Sequence, residues 1–301
     1  MIELNPKFYD YNGWSFSKYQ LWNKCKKAYY FQYIGGYVKG PLPFDSSNLY
    51  RLKKDLTPKV FLQGQIIHKV IANQINQNKI RDMNEASAIN HYASELARYR
   101  ETANDTITEY FNGEPVDIGF FDKIDKSGIE QIKRFFSIIW PPFLDSDYID
   151  HENKGSFQID DIKVLLRPDY VSRTKKGMFV ISDWKTGSDS EDFENDKQIA
   201  TYVLWAIYNF KVEPKEIRSE LVYLSSGVSR SFSFTSEQLE ETKRFIIENY
   251  RKLNESYDYN SFQPNPLPKN CMSCNYAKIC DCKYEDSSNS IESLLVQKKK
   301  D

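Results

Sequence analysis

No apolar run in this 301-residue sequence approaches the roughly 18 residues that a membrane-spanning helix needs. Residues 1–10 also lack the charged-then-apolar layout of a secretory signal. A cytoplasmic protein with no membrane segment is therefore expected. Net charge is nearly missing as well: 41 Lys and Arg face 42 Asp and Glu, a formal −1, which excludes a chain coated in positive charge for bulk nucleic-acid packaging. The phosphate-cradling pattern G-x-x-x-x-G-K-[ST] is absent, so the chain is not itself a helicase. No internal repeat is present.

What is there belongs to a folded protein. Hydrophobic residues make up 40% and charged residues 28%, which excludes wholesale disorder. The charge is unevenly spread: residues 1–60 hold ten Lys or Arg against four Asp or Glu, a local +6, together with 14 of the 45 aromatic residues. In "WSFSKYQLWNKCKKAYYFQYI" basic and aromatic side chains interleave, as in grooves that hold single-stranded nucleic acid on rings and ammonium groups. Tyr19, Trp22, Lys26 and Lys27 are the candidates for that role. An amphipathic helix whose rings face the core while its lysines snorkel outward reads the same way.

Periodicity organises the chain into two halves. Ser15 or Ser17 caps an expected helix through about Tyr33, ended by Gly35 and Gly36. Apolar residues at Ile66, Ile67, Val70, Ile71 and Ile75 predict a second helix over about 61–76. The stretch 83–155 reads as a helical insertion, with Pro141 and Pro142 closing its last helical segment. From about Ser156 the period turns strand-like in "SFQI", "KVLLRPDYVS" and "MFVISDWKT". A helix over 195–211, a hairpin from "RSELVYLSS" and "SRSFSFT", and a helix capped by Ser236 follow. The class is α/β, and residues 1–285 form one domain. Residues 260–282 are rich in Pro and Cys, and the tail from 286 to 301 reads as disordered.

Chemistry concentrates in "RPDYVSRTKKGMFVISDWKTG". Side chains alternate along a strand, so Asp183 and Lys185 share a face, and Asp169 comes alongside if the two strands pair. Two close carboxylates repel unless a cation lies between them, and an oxygen-rich site of this kind suits Mg²⁺ or Mn²⁺. A neighbouring ammonium orients water or stabilises charge developing on a phosphate. A bare D-x-K is equally well a salt bridge on a surface hairpin. The added Pro168-Asp169, with 13 residues between it and Asp183, makes the pattern resemble that of the PD-(D/E)XK nuclease superfamily. "GQIIH" (Gly64, His68) and "QIATYVLWA" (Gln198, Tyr202) resemble the G-x-x-x-H and Q-x-x-x-Y elements of its RecB-like branch.

Cys25, Cys271, Cys274 and Cys280 form a second pattern, one cysteine near the start and C-x2-C-x5-C near the end. Such clustering in a cytoplasmic chain points to a metal, and spacing alone fits Zn²⁺ or a 4Fe-4S cluster. The arrangement resembles the iron-sulfur staple of AddB-type and CRISPR-associated RecB-like exonucleases. Cys282 lies outside it as a spare thiol.

The resemblance spans residues 14 to about 282. It implies a restriction-endonuclease-like mixed sheet flanked by helices, with a 4Fe-4S staple joining the two ends of the domain. It also implies a divalent cation held by His68, Asp169, Asp183 and the backbone carbonyl of Trp184, with Lys185 assisting attack and Gln198 and Tyr202 supporting the site. The implied substrate is DNA, single-stranded and cut from an end, and the implied partners are a separate helicase or CRISPR adaptation and recombination proteins. Two rival classes stand beside this reading: a catalytically silent DNA-binding module and a zinc-stabilised scaffold.

Overall fold

The computed structural model describes residues 2–77, 82–188 and 193–282; the tail from 286 lies outside them. Helices α1 (Lys7–Tyr11), α2 (Phe16–Lys24), α3 (Lys26–Tyr33) and α4 (Leu49–Lys54) lead to the long α5 (Lys59–Gln77). The helix expected from Ser15 begins as anticipated, the Lys18 amide donating to Ser15 Oγ at 3.3 Å. It is split at Cys25, however, where extended backbone (φ −166°, ψ 113°) separates α2 from α3. Periodicity does not register this break because rings on both sides enter one core: Trp14, Tyr29, Tyr30 and Phe31 are buried. Much of the basic-aromatic stretch is thus packing.

Next come α6 (Glu85–Glu101), α7 (Ala103–Thr106), α8 (Thr108–Phe111) and α9 (Ile118–Arg134), with a π-helical turn over Phe135–Ile139 before the two prolines. The expected insertion is helical only this far. Its end forms β1 (Ser146–Asp150), an edge strand of the main sheet. With no fully buried residue in β1, the hydrophobic alternation that marks a strand is faint there.

Strands β2 (Gly155–Ile159) and β3 (Ile162–Leu166) make a small sheet of their own. The main sheet contains β4 (Tyr170–Thr174), β5 (Phe179–Lys185), β6 (Ile217–Tyr223) and β7 (Ser229–Phe232), in the order β1-β4-β5-β6-β7. Among the described strands of this sheet, β5 and β6 are the parallel pair, and helix α10 (Phe193–Phe210) makes their crossover, as parallel neighbours require. "KVLLRPDYVS" is therefore two strands in two sheets. Pro168 cannot donate to a ladder, and the chain changes sheets there.

Alternation along β5 sets two cores. Phe179 and Ile181 pack with α10 and the N-terminal aromatics, and Val180 and Trp184 pack with α5, α6 and α9. Helices α11 (Ser236–Leu253) and α12 (Pro268–Met272) are the last of the described elements. The cap of α11 is Thr235, not Ser236: Gln238 N–H donates to Thr235 Oγ1 at 3.2 Å, and Thr235 N–H donates to Gln238 Oε1 at 2.9 Å. The observed class is the expected one, a mixed sheet between helical layers.

Candidate active site

The hairpin register places the two acids. Tyr170 pairs with Ser182 across β4 and β5, so one further antiparallel step sets Asp169 opposite Asp183. Both are buried. Asp169 Oδ2 accepts the Trp184 N–H at 2.6 Å, so main chain of β5 anchors the acid that precedes β4. The Trp184 carbonyl, expected to face a cation, lies between Asp183 and Lys185 on the same strand, while the Trp184 ring is buried in the other core.

Helix α5 delivers His68. A Cβ at Gly64 would fall 2.8 Å from Thr186 Oγ1, so the missing side chain lets the helix approach the end of β5. One turn further on, His68 Nδ1 lies 3.1 Å from Asp169 Oδ1. Unanticipated from sequence, Glu152 in the β1–β2 turn places Oε1 3.3 Å from the same nitrogen. Donor atoms of His68, Glu152 and Asp169 lie within 4.8 Å of one another. This imidazole with two carboxylates suits a hard divalent cation. Asp183 stands outside that tight trio, and its charge still reaches Asp169.

The electrostatics are those of a site short of positive charge. Burial, helped by the charges of Asp183 and Glu152 and opposed by His68, pushes the Asp169 carboxyl up to about 6. Burial works against a charged His68, but Asp169 and Glu152 outweigh it and hold the imidazole well above its ordinary value. Lys185 behaves likewise: burial is overcome by Asp183 and Asp169, and the amine stays charged.

Around Asp183 the polar groups form a closed ring. Lys185 Nζ lies 2.7 Å from Asp183 Oδ2, an ion pair that is not aligned as a hydrogen bond, and it donates to Gln198 Oε1 at 3.1 Å. Gln198 Nε2 donates to Tyr202 Oη at 2.9 Å, and Tyr202 Oη–H donates to Asp183 Oδ1 at 3.2 Å. Helix geometry puts Gln198 and Tyr202, four apart on α10, on one face. Burial and the nearby Asp183 charge raise Tyr202 well above its ordinary value, so its hydroxyl remains a donor.

The candidate DNA-binding side chains divide. Trp22 and Tyr19 are partly exposed, with Lys26 Nζ 5.0 Å from the Trp22 ring centroid and Tyr19 against Phe245 of α11. Lys27 must be removed from this set. It is buried, its ammonium donates to the Tyr259 carbonyl at 3.0 Å, and it sits 3.4 Å from that ring. On an amphipathic helix, sequence does not tell inward lysines such as Lys27 and Lys18 from their outward neighbours.

Cys25 and the C-terminal cysteines lie on segments that touch. Asn265 and Asn270 donate to the Lys24 carbonyl, and Lys24 Nζ donates to Ser273 Oγ, so the Cys25 junction is docked on the C-terminal segment. Burial pushes the Cys274 thiol up to about 12, with Cys25, Cys280 and Cys271 adding to the rise. Among the described residues no three thiols fall within 4.8 Å of one another.

Comparison with known proteins follows the same lines. A family model for the PD-(D/E)XK nuclease superfamily matches residues 13–281. Among solved structures the chain is similar to a protein of Eubacterium rectale described as a "putative exonuclease", with 13% identity, 83% of this chain and 99% of the other covered, and a TM-score of 0.37. It is also similar to the protein SSO0001, with 15% identity, coverage of 62% and 80%, and a TM-score of 0.30. No curated protein matches it.

Proposed function

Since the chain belongs to the PD-(D/E)XK nuclease superfamily, whose members are phosphodiester hydrolases, we propose that it is a RecB-like deoxyribonuclease dependent on Mg²⁺ or Mn²⁺ that digests single-stranded DNA from an end. The observation that carries this reading is the convergence of His68, Asp169, Asp183 and Lys185 from one helix and one hairpin. A bound divalent cation would supply Lewis-acid polarisation of the phosphate and an activated water. His68 and Asp169 would hold it, with Asp183 and the Trp184 carbonyl alongside. Lys185, charged and fixed between Asp183 and Gln198, orients the attacking water and meets charge developing on the phosphate. Gln198 and Tyr202 keep that amine aimed.

Substrate reaches the site along the outer face of α2 and the start of α3, where Lys26 meets phosphates and Trp22 and Tyr19 offer ring faces to unstacked bases. Lys197, one residue from Gln198, lies 5.7 Å from the Phe245 ring on which Tyr19 also packs, so this face adjoins the catalytic helix. Cys25, Cys271, Cys274 and Cys280 would hold a 4Fe-4S cluster that closes the domain. A bound metal would reverse the penalty that burial places on the Cys274 thiolate. A separate helicase, or CRISPR adaptation and recombination proteins, would present the DNA end.

Digestion of end-labelled and circular DNA, single-stranded and duplex, with Mn²⁺ tests the reading. Shortening of linear single strands from one labelled end, with circles spared, is expected. Asp183→Ala and Lys185→Ala should each lower turnover by at least about 100-fold and still bind DNA in a gel shift. Unchanged turnover in both variants would remove the site assignment.

A further inference from the structure

We propose that Glu152 is a further protein ligand of the catalytic cation, supplied by the turn between β1 and β2 and held in place by Arg167. The inference rests on reading this site as a cation-dependent nuclease centre. It deepens that reading with a residue outside every motif that identified the site: Glu152 lies 17 positions before Asp169 and on the other side of the small β2–β3 sheet.

Geometry supports the assignment. Glu152 Oε1 approaches His68 Nδ1 at 3.3 Å and falls within the 4.8 Å donor set with Asp169. Its backbone occupies the left-handed region at φ 47°, a conformation that costs a non-glycine residue energy and persists only where the surroundings impose it. They do so here: Glu152 N–H donates to the Pro168 carbonyl at 2.9 Å, and Arg167 Nε lies 2.6 Å from the Glu152 carbonyl and 2.8 Å from Oε2. Arg167 thus fixes one oxygen while the other faces His68. The same two residues, Arg167 and Pro168, lead directly into Asp169, so a single bend of chain sets both acids.

The distribution of charge points the same way. Asp183 Oδ2 is buried without a hydrogen bond and leans on Lys185 at 2.7 Å. Half of the hairpin's acid pair is therefore turned toward the amine. Glu152 supplies, on the His68 side, the second carboxylate that a divalent ion needs for neutrality beside Asp169.

Mn²⁺ titration of the full-length protein without DNA, by calorimetry or electron paramagnetic resonance, separates the possibilities. Glu152→Gln should weaken Mn²⁺ binding by at least about tenfold, as should Asp169→Asn. Glu152→Asp keeps the charge but withdraws the carboxylate by one methylene, and it should weaken binding as well; this variant decides the matter if Glu152→Gln does not fold. Arg167→Ala should produce a smaller loss of the same kind, because it loosens a ligand without deleting one. Wild-type Mn²⁺ affinity in Glu152→Gln or Glu152→Asp, with the loss retained in Asp169→Asn, would overturn the inference and leave the nuclease reading standing. Absence of both Mn²⁺ binding and cleavage in the wild-type protein would overturn the two together.

Discussion

Asp169 divides its carboxylate between two masters, one oxygen on the Trp184 amide and the other beside His68. This arrangement stores protons when no cation is bound. The folded Asp169 carboxyl is raised to about 6 against roughly 3.9 in an unfolded chain, so between those values the folded state holds the extra proton and stability falls as pH rises. The raised His68 acts with the same sign, since its contribution is present below about 6.5 and is lost as pH climbs through its folded value. Glu152, lowered chiefly by His68 and Arg167 against its burial, works oppositely but only below its ordinary range near 4.3. In EDTA the protein should therefore melt lower at pH 8 than at pH 5.5, Asp169→Asn should flatten that slope, and Mn²⁺ should raise the melting temperature most at high pH. A melting temperature in EDTA that climbs over this interval would contradict the assignment.

At the scale of elements, two glycines set how closely helices approach. Gly64 brings α5 to Thr186. Gly128 brings α9 onto α6, where an added Cβ would meet the hydroxyl of buried Tyr92 at 2.1 Å and its ring at 2.2 Å. Tyr92 also donates to the Ile124 carbonyl at 2.7 Å, so the ring cannot move without giving up that bond. Gly128→Ala should cost about 1–3 kcal/mol from overpacking despite the better helix propensity of alanine, and calorimetry would show it as a lower melting temperature. A variant as stable as wild type would mean that the helices part freely.

Legibility differed with the kind of signal. The hairpin, its paired acids and the His68 turn could be read because period-two and period-3.6 patterns fix which residues share a face. Glu152 could not, since its approach depends on a chain reversal and a left-handed backbone rather than on any period. A clue was present: "HENKG" is a polar turn immediately before a strand, with an acid at its bend. Arg167 and Pro168 looked like mid-strand residues for the same reason, and the split at Cys25 was hidden by aromatic residues that continue the helical pattern on both sides.

For the molecule as a whole, the docking of Lys24 and Cys25 on residues 265–273 ties segments some 250 positions apart. A cluster at that point would remove loop-closure entropy worth several kcal/mol from the unfolded chain, by analogy with a disulfide closing a loop of this length. Anaerobically purified protein should be brown with a broad visible absorbance band, and Cys271→Ser should lose colour and melting temperature together. A colourless wild type, or a variant that keeps both properties, would remove the staple.

The amide of Trp184 that receives Asp169 gives the hairpin a property beyond chemistry. Because a main-chain atom of one strand serves as the datum for an acid entering the other, alignment is inherited from the ladder like the scale of a vernier. The tip residues Lys175 and Lys176 carry none of that alignment, and Gly177 is held to glycine only by its own left-handed backbone at φ 86°, whereas a single inserted residue on either side of the ladder would slide the two marks apart at once.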